Sequence, residues 1–279
     1  MDARLHFIKD PDGRMVNKVK SADGKDSKQS RIETLKPNEI GFLKITNLKQ
    51  DGAVAQTRVS GTILEVILAK PILPNSKTTF TLDFDGQVPV QVRRSGRNNS
   101  EGIELSMSQW YPKLAEFDFE GWHADPYIAR EFHGVWGNFD VKITIDKEYT
   151  IGGSGYLQDK NSIGHGYEDA GVTVTYPKKA KTLTWHFIAP NVHDFTWAAD
   201  KEYAHDIVKG PNDVDLHFFY KNTPKVAENW KQLEPLMVKV MNYYNQRVGA
   251  YPYKQYSFIQ GGDGGMENAM CTLMLGNGT

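Results

Sequence analysis

The chain has 279 residues, of which 39% are hydrophobic and 24% charged, with a formal net charge of -1. This length suffices for one large or two ordinary domains, and the composition is typical of a globular protein rather than a disordered one. Because 33 basic residues balance 34 acidic ones, nothing favours a nucleic-acid interface or a polybasic membrane patch.

Cysteine content and the apolar runs exclude further classes. Cys271 is the single cysteine, so a disulfide framework and a cysteine-rich zinc module are excluded. The longest apolar run, at 62–69, is interrupted by Glu65 and is too short to span a membrane. The first ten residues show no apolar segment of a signal peptide, and the compartment stays open.

The first part of the chain predicts β structure after a polar start. Residues 9–39 are polar and rich in turn residues, which indicates a surface loop, and no strand is predicted ahead of them. From residue 40 to about 204, short β-branched and aromatic runs predict strands within 61–71, 78–92, 102–112, 138–149, 171–177 and 181–190.

Alternation and turn residues refine this β pattern. Val141, Ile143 and Ile145 alternate with polar residues, so they should share one face of a strand. Turns are predicted at the pairs Asp51-Gly52, Asp85-Gly86 and Gly152-Gly153. Because no helical pattern intervenes, we expect an antiparallel sandwich or a saddle-shaped sheet.

A long helix is predicted after a strand at 213–221. Thr223 suits the N-cap, Pro224 the first helical position and Gly249 the residue after the end. Spacings of three and four predict an apolar face made of Val226, Trp230, Leu233, Leu236, Val240, Tyr244 and Val248. Pro235 should kink or divide this helix.

One more strand, at 254–260, leads into the glycine-rich segment GGDGGMENAM at 261–270. On one interpretation, this segment is an ordinary turn that leaves Glu267 in water. On the other, the glycines let backbone approach a ligand, Glu267 binds a positive group on it, and an extended ligand pairs as an added strand. The segment lacks the lysine and Ser/Thr of a phosphate-binding loop, so nucleotide binding is not predicted.

The motif GGMEN at 264–268, preceded by a long helix and an aromatic strand, resembles the Gly-x-Met-Glu-Asn signature of the aminopeptidase N family. These enzymes are zinc metallopeptidases of the gluzincin group. Residues 109–145 and 193–200 resemble that family's N-terminal domain, so the likeness extends over about 60–279. The resemblance implies a mainly β chain: a saddle-like antiparallel β domain at 1–204, with its first strands missing, then the start of a thermolysin-like α+β catalytic domain at 205–279.

The resemblance also implies which residues bind substrate: Gly264, Gly265, Met266, Glu267, Asn268 and, from the β domain, Gln109. Glu267 would bind the free α-amino group of a peptide, and Gln109 would add a second polar group to that pocket. Gly264 and Gly265 would lie along the substrate backbone, and Asn268 would orient the neighbouring strand. Met266, Met270 and Cys271 would shape the first side-chain pocket. The implied partners are peptides with free N-termini.

The zinc motif of that family is absent from this sequence. The family needs His-Glu-x-x-His on a helix and a further glutamate, yet no two of the eight histidines are four residues apart and none precedes a glutamate. We therefore expect neither catalytic residues nor metal ligands here, with zinc confined to a longer parent of which this is an interior part. Alone, the chain should be inactive, and the apolar helix surface at 226–248 could support self-association.

Two other functions stay open. The protein could be a non-catalytic relative in which the β domain is a peptide-binding surface or a scaffold. It could also be a carbohydrate- or protein-binding β-sandwich, with a surface formed by Trp110, Trp122, Trp136 and Trp197.

Overall fold

The computed structural model describes residues 4–8, 35–91, 94–124, 134–262 and 264–276, the first of these ranges by its backbone alone. Most of the predicted polar loop, residues 9–34, lies outside the described residues. No helix in the described ranges is both long enough and apolar enough to cross a membrane.

The prediction of a mainly β protein with antiparallel sheets is confirmed. In chain order the strands are β1 (Arg4–Ile8), β2 (Phe42–Gln50), β3 (Ala53–Val54), β4 (Gln56–Ser60), β5 (Ile63–Ile67), β6 (Phe80–Gln87), β7 (Ser95–Arg97), β8 (Leu105–Met107), β9 (Lys113–Leu114), β10 (Phe117–Asp118), β11 (Gly121–Trp122), β12 (Gly137–Asp146), β13 (Thr150–Gly153), β14 (Tyr156–Leu157), β15 (Thr182–Val192), β16 (Trp197–Asp200), β17 (Tyr203–Lys209), β18 (Asp215–Lys221), β19 (Gln255–Gln260), β20 (Met266–Asn268) and β21 (Cys271–Met274). The helices are α1 (Lys160–Ile163) and α2 (Pro224–Arg247), and a 3-10 turn lies at Pro211–Asp213.

The chain divides into two compact units. One comprises Met1–Val92 and Gln109–Val135, and the other comprises Arg93–Ser108 and Trp136–Thr279. These units follow packing within the chain, and the predicted division into 1–204 and 205–279 stays a prediction.

The first unit contains two sheets and a hairpin, with strand orders β4-β5-β1-β9, β3-β2-β6 and β10-β11. Its hydrophobic core is built from Leu48, Ala55, Leu64 and Val66. The prediction that no strand precedes the polar tract was wrong, because β1 pairs with β5 on one side and β9 on the other. A run of five residues is too short to show periodicity, so partner strands define β1 more than its own sequence does.

The second unit contains three sheets, with orders β12-β15-β14, β13-β16-β8-β7 and β17-β18-β19-β21-β20. The predicted alternation in β12 is confirmed, since Val141, Ile143 and Ile145 are less exposed than the polar residues between them. β12 pairs with β15 so that Ile143 lies opposite the fully buried Trp185.

The five-stranded sheet determines where the glycine-rich segment lies. β18, β19 and β21 run parallel, while β17 and β20 pair antiparallel at the two edges. Parallel neighbours need a long crossover, and α2 supplies it between β18 and β19. Leu216, Phe218, Trp230 and Phe258 form the core between helix and sheet.

The ends of α2 match the prediction, but half of its predicted apolar face does not. Thr223 is the N-cap and the helix ends at Arg247, next to the predicted stop. Val226, Trp230 and Leu233 pack on the core as predicted, after which the contacts continue through Met237 and Met241.

The wrong half of the predicted face is exposed: Leu236 by 51%, Val240 by 36%, Tyr244 by 57% and Val248 by 80%. A step of three residues from Leu233 to Leu236 turns the predicted stripe roughly 60° around the helix axis, away from the sheet. The later steps of four turn it back, but Tyr244 and Val248 then lie at the C-terminal end of α2, where all residues from 246 to 250 are exposed. The helix also continues through Pro235 rather than dividing there. Packing before and after Pro235 compensates for the backbone hydrogen bond that proline cannot make.

Two predicted turns and one predicted strand were also wrong. Asp85-Gly86 lies within β6 and Gly152-Gly153 within β13. A Cβ on Gly86 would lie 2.9 Å from Leu43 Cδ2, so a neighbouring side chain needs that space. Residues 171–177 form no strand, because no neighbouring strand pairs with them and most of them are exposed.

Candidate functional site

The candidate site is the hairpin of β20 and β21, at the edge of the five-stranded sheet. β20 pairs with β21 so that Glu267 lies opposite Thr272, flanked by the pairs Met266–Leu273 and Asn268–Cys271. No other strand of the described residues pairs with β20, so one side of its backbone is open to an added strand.

Side chains of β20 alternate sharply between burial and exposure. Met266 and Asn268 are only 4% and 5% exposed, whereas Glu267 between them is exposed. Successive strand residues point to opposite faces, so burial of the two neighbours directs the Glu267 side chain outward. The strand therefore exposes a single carboxylate between two buried side chains.

The glycines before β20 permit a backbone that other residues rarely adopt. Gly262 has φ +60° and Gly264 has φ +152°, while Asp263 lies outside the described residues. A Cβ on Gly261 would lie 2.9 Å from Leu273 Cβ, so the turn also packs closely on β21. The turn begins with the Gly261 and Gly262 amides, which both donate to the Met274 carbonyl at 3.2 Å.

Polar side chains from elsewhere in the second unit bond to the hairpin. Asn268 Nδ2 donates to Thr196 Oγ1 at 2.6 Å, and Asn99 Nδ2 donates to the Gly261 carbonyl at 2.8 Å. Arg94 Nη1 contacts Met266 Sδ at 2.6 Å. The sequence did not predict Asn99, Thr196 or Arg94, since no motif connects them with a segment more than 70 residues away.

Met270 and Cys271 are fully buried at the tip of the hairpin. Burial raises the pKa of the Cys271 thiol well above its usual range, although a hydrogen bond with Ser154 acts in the opposite direction. The thiol is therefore neutral near pH 7 and behaves as a small packing group rather than a nucleophile.

The structure brings together five of the six predicted substrate-binding residues, Gly264 to Asn268, in one turn and strand. Gln109 is buried and belongs to the other compact unit. Its contribution to an amino-terminal pocket stays a prediction.

Four of the described histidines bond to protein groups of the second unit. His205 Nδ1 donates to the His165 carbonyl at 3.0 Å, so its Nε2 accepts from His217 Nδ1 at 2.9 Å. Burial lowers the pKa of His205 to about 4 and that of His217 well below its usual range, so both rings are neutral near pH 7. His186 Nε2 lies 2.8 Å from Asp140 Oδ1, and His165 Nδ1 lies 2.9 Å from Thr150 Oγ1.

Within the described residues, one group of three side chains brings possible metal ligands within 4.8 Å of one another: Asp118, Glu120 and His123. This donor set of two carboxylates and one imidazole comes from the β10–β11 hairpin of the first unit. It differs from the two imidazoles and one glutamate of a gluzincin site. The part of the chain that the structure describes therefore does not fit the catalytic zinc of that family.

Comparison with solved structures identifies the fold. An M1 zinc metallopeptidase from Deinococcus radiodurans is 12% identical over 85% of this chain and 51% of its own, with a TM-score of 0.51. A variant of the enzyme from that organism bound to a Tyr-Ser-Ala substrate is 13% identical over 83% of this chain and 50% of its own, with a TM-score of 0.51. A two-domain M1 zinc metallopeptidase variant bound to L-arginine is 13% identical over 84% of this chain and 50% of its own, with a TM-score of 0.52.

The chain thus spans about half the length of these M1 metallopeptidases. No protein-family model and no curated protein matches the sequence. At this level of identity the likeness establishes the β-rich fold.

Proposed function

We propose that this chain is the N-terminal part of a zinc-dependent aminopeptidase, and that Glu267 binds the α-amino group of the peptide substrate. One observation carries the proposal: β20 presents a single exposed carboxylate between two buried neighbours, on a strand with an open edge. The shared fold with M1 zinc metallopeptidases supports it.

The chemistry of the site suits a peptide N-terminus. An extended peptide can pair with the open edge of β20 through backbone hydrogen bonds. Its terminal ammonium then forms a charge-assisted bond with the Glu267 carboxylate, which an acetylated terminus cannot do. Gly264 and Gly265, which carry no side chains, leave room for the peptide backbone beside the turn.

Zinc has no fitting site among the described residues, so in this proposal the metal and its ligands belong to a part of the enzyme outside these 279 residues. The chain is accordingly proposed to bind peptide N-termini without hydrolysing peptides. An assay of the chain against aminoacyl-arylamide substrates with added zinc should give no product above background.

Binding of two tripeptides tests the role of Glu267. We expect Tyr-Ser-Ala to bind about fivefold more tightly than its N-acetylated form, the effect of one partly solvated charge-assisted bond. Amide shifts in an NMR titration measure both affinities. Glu267→Gln should remove the difference, whereas the control Glu148→Gln, at a side chain 64% exposed, should retain it. Equal affinities for the two peptides in the unmodified chain would refute the proposal.

The missing zinc motif favours one alternative, a non-catalytic relative that uses the same strand to bind peptides. The two functions make different predictions for any sequence that the parent gene encodes beyond Thr279. Reading the parent gene for a further sixty codons or so separates them, because the enzyme requires His-Glu-x-x-His and a further glutamate there.

Self-association through α2 is proposed as well. Leu236 and Tyr243 are 51% and 58% exposed on the side of the helix away from the sheet, and Val248, just after the helix ends, is 80% exposed. Burying such side chains between two copies would be favourable. Sedimentation velocity over a hundredfold range of concentration should show dimers that the substitution Tyr243→Glu weakens, and a concentration-independent monomer would contradict this.

A further inference from the structure

The loop between β7 and β8 contacts the start of the glycine turn through Asn99. The Asn99 side chain is 8% exposed, and its Nδ2 donates to the Gly261 carbonyl at 2.8 Å. Its Oδ1 accepts from the amides of Glu101 and Ile103 at 3.0 and 2.8 Å. Because one end of the side chain is bonded to its own loop, the other end offers the turn a rigid donor.

The same loop connects the end of β19 with the segment after β21 through Glu101. Its Oε2 accepts from Gln260 Nε2 at 3.2 Å, at the last residue of β19. Its Oε1 accepts from the Gly276 amide at 2.9 Å, two residues after β21 ends. One carboxylate thus connects the strand that enters the turn with the segment that leaves the hairpin.

Steric fit at Gly262 shows how closely this loop approaches the turn. A Cβ on Gly262 would lie 2.1 Å from Asn99 Nδ2, closer than any real contact. With φ +60° the position also favours glycine for its backbone. Gly262 therefore supplies both the positive φ of the turn and the lack of a side chain that contact with Asn99 requires.

We propose that Asn99 and Glu101 are positioning residues, which fix the hairpin so that the Glu267 carboxylate meets the peptide N-terminus in one orientation. The proposal rests on the proposed role of Glu267. Without the loop contacts, the turn would sample several conformations, and the carboxylate would lose the preorganisation that makes a weak charged contact selective.

Hydrogen exchange of the turn tests the contact itself. Asn99→Asp keeps the Oδ1 acceptor but removes the Nδ2 donor to Gly261. The matched control is Asn161→Asp, which likewise loses an Nδ2 bond, to Asp169 Oδ2 at 3.0 Å, between α1 and the loop that follows it. We expect amide exchange at 264–268 to rise about threefold to tenfold in Asn99→Asp, as for the loss of one hydrogen bond, and to stay unchanged in the control.

A second variant covers the case in which Asn99→Asp does not fold. Glu101→Gln keeps one acceptor oxygen and replaces the other with a donor, so one of its two bonds is lost. It should raise exchange at 264–268 in the same direction. Unchanged exchange in a folded variant would overturn the contact between loop and turn.

The pair of tripeptides tests positioning. In the folded variants, the preference for Tyr-Ser-Ala over its acetylated form should fall at least twofold, a change that lost stability alone does not produce. If the turn loosens but the preference is kept, and Glu267→Gln abolishes it, the positioning role is wrong while the proposed function stands. If Glu267→Gln leaves the preference intact, the proposed function and the positioning role both fail, and exchange alone then decides whether the loop holds the turn.

Discussion

Two glycine pairs in this protein have the same sequence but opposite uses. Gly152, in β13, is buried in extended backbone, and a Cβ there would lie 2.5 Å from the ring of Phe219. Gly262, in the turn before β20, has φ +60°, and a Cβ there would lie 2.1 Å from Asn99 Nδ2. The first glycine makes space for a rigid ring, while the second supplies a turn conformation next to a hydrogen-bonding side chain.

What each glycine supports differs as well. Phe219 stacks on His205, with ring centroids 4.2 Å apart, and His205 is hydrogen bonded to His217. In that region the two imidazole rings are buried and hydrogen bonded to each other. The turn at Gly262 leads instead to Glu267, whose side chain is exposed between two buried neighbours. The first region therefore contributes stability, whereas the second carries the proposed binding residue.

The largest effect is expected from Gly152→Ala. The new methyl group meets a ring that is fully buried and stacked on other aromatic side chains, so the ring cannot move aside. We expect the free energy of unfolding to fall by about 3 kcal/mol, as for an overpacked core. Urea unfolding followed by circular dichroism measures it.

Gly137→Ala is the matched control for that substitution. Gly137 also lies in a strand, β12, but a Cβ there would have no atom within 4 Å. The change should be neutral or slightly stabilising, since alanine loses less backbone entropy than glycine. If both substitutions lowered the free energy of unfolding equally, strand conformation, and not the space that Phe219 needs, would explain why glycine is required at position 152.

The next effect is expected from Gly262→Ala, at about 2 kcal/mol, because the left-handed conformation and the approach of Asn99 both oppose a side chain. Gly52→Ala isolates the conformational part, since Gly52 has φ +86° and no atom within 4 Å of a Cβ. It should cost about 1 kcal/mol. In the double variant with Asn99→Ala, the loss at Gly262 should approach that of Gly52→Ala, and strict additivity would contradict the steric explanation.

These glycines also show why part of the fold could not be predicted from sequence. Gly-Gly and Asp-Gly pairs between β-type runs are typical of turns, and Asp51-Gly52 does form a turn, between β2 and β3. Gly152 and Gly86 resemble it locally but serve close packing against Phe219 and Leu43. The neighbours that decide the matter are distant in sequence, so local chemistry cannot separate the two uses.

Elements with strong periodicity were predicted well. β12 and the ends of α2 follow from alternation, capping residues and the proline at the start of the helix. The predicted face of α2 was wrong beyond Leu233, since the sequence shows neither that Met237 and Met241 meet the core in place of Leu236 and Val240 nor that the last turn is exposed. For the site, the motif located Glu267, whereas Asn99 and Thr196 became visible only through their contacts with the hairpin.

The third effect is the pH dependence of the buried histidine pair. Burial holds the pKa of His205 at about 4, below its unfolded value near 6.5, so the unfolded state binds more protons between these values. The stability from His205 is complete above pH 6.5 and is lost as the pH falls towards 4, by up to about 1.4 kcal/mol per pH unit. Urea unfolding of the unmodified chain and of His205→Gln, at intervals from pH 7.5 to 5, measures the difference.

Glu234 acts in the opposite direction and needs a control. Burial, followed by the nearby Asp206 carboxyl, raises the pKa of Glu234 to about 7, so the folded state binds more protons between pH 4.5 and 7. Its contribution to stability therefore falls as the pH rises through that range. The pH slope that His205→Gln removes should be the same in a Glu234→Gln background, and a difference between the backgrounds would indicate that the two groups are coupled.

The smallest effect on stability is expected from Glu267→Gln, and it is the most informative for the comparison. The side chain is exposed, and in the described residues the contacts that hold β20 involve Met266 and Asn268 on either side of it. The free energy of unfolding should change by less than about 0.5 kcal/mol, as at an ordinary surface position. Asn268→Ala should cost about 1–2 kcal/mol, because the Thr196 hydroxyl loses its buried donor. A large loss in Glu267→Gln would assign the carboxylate to folding rather than to the binding of a peptide N-terminus.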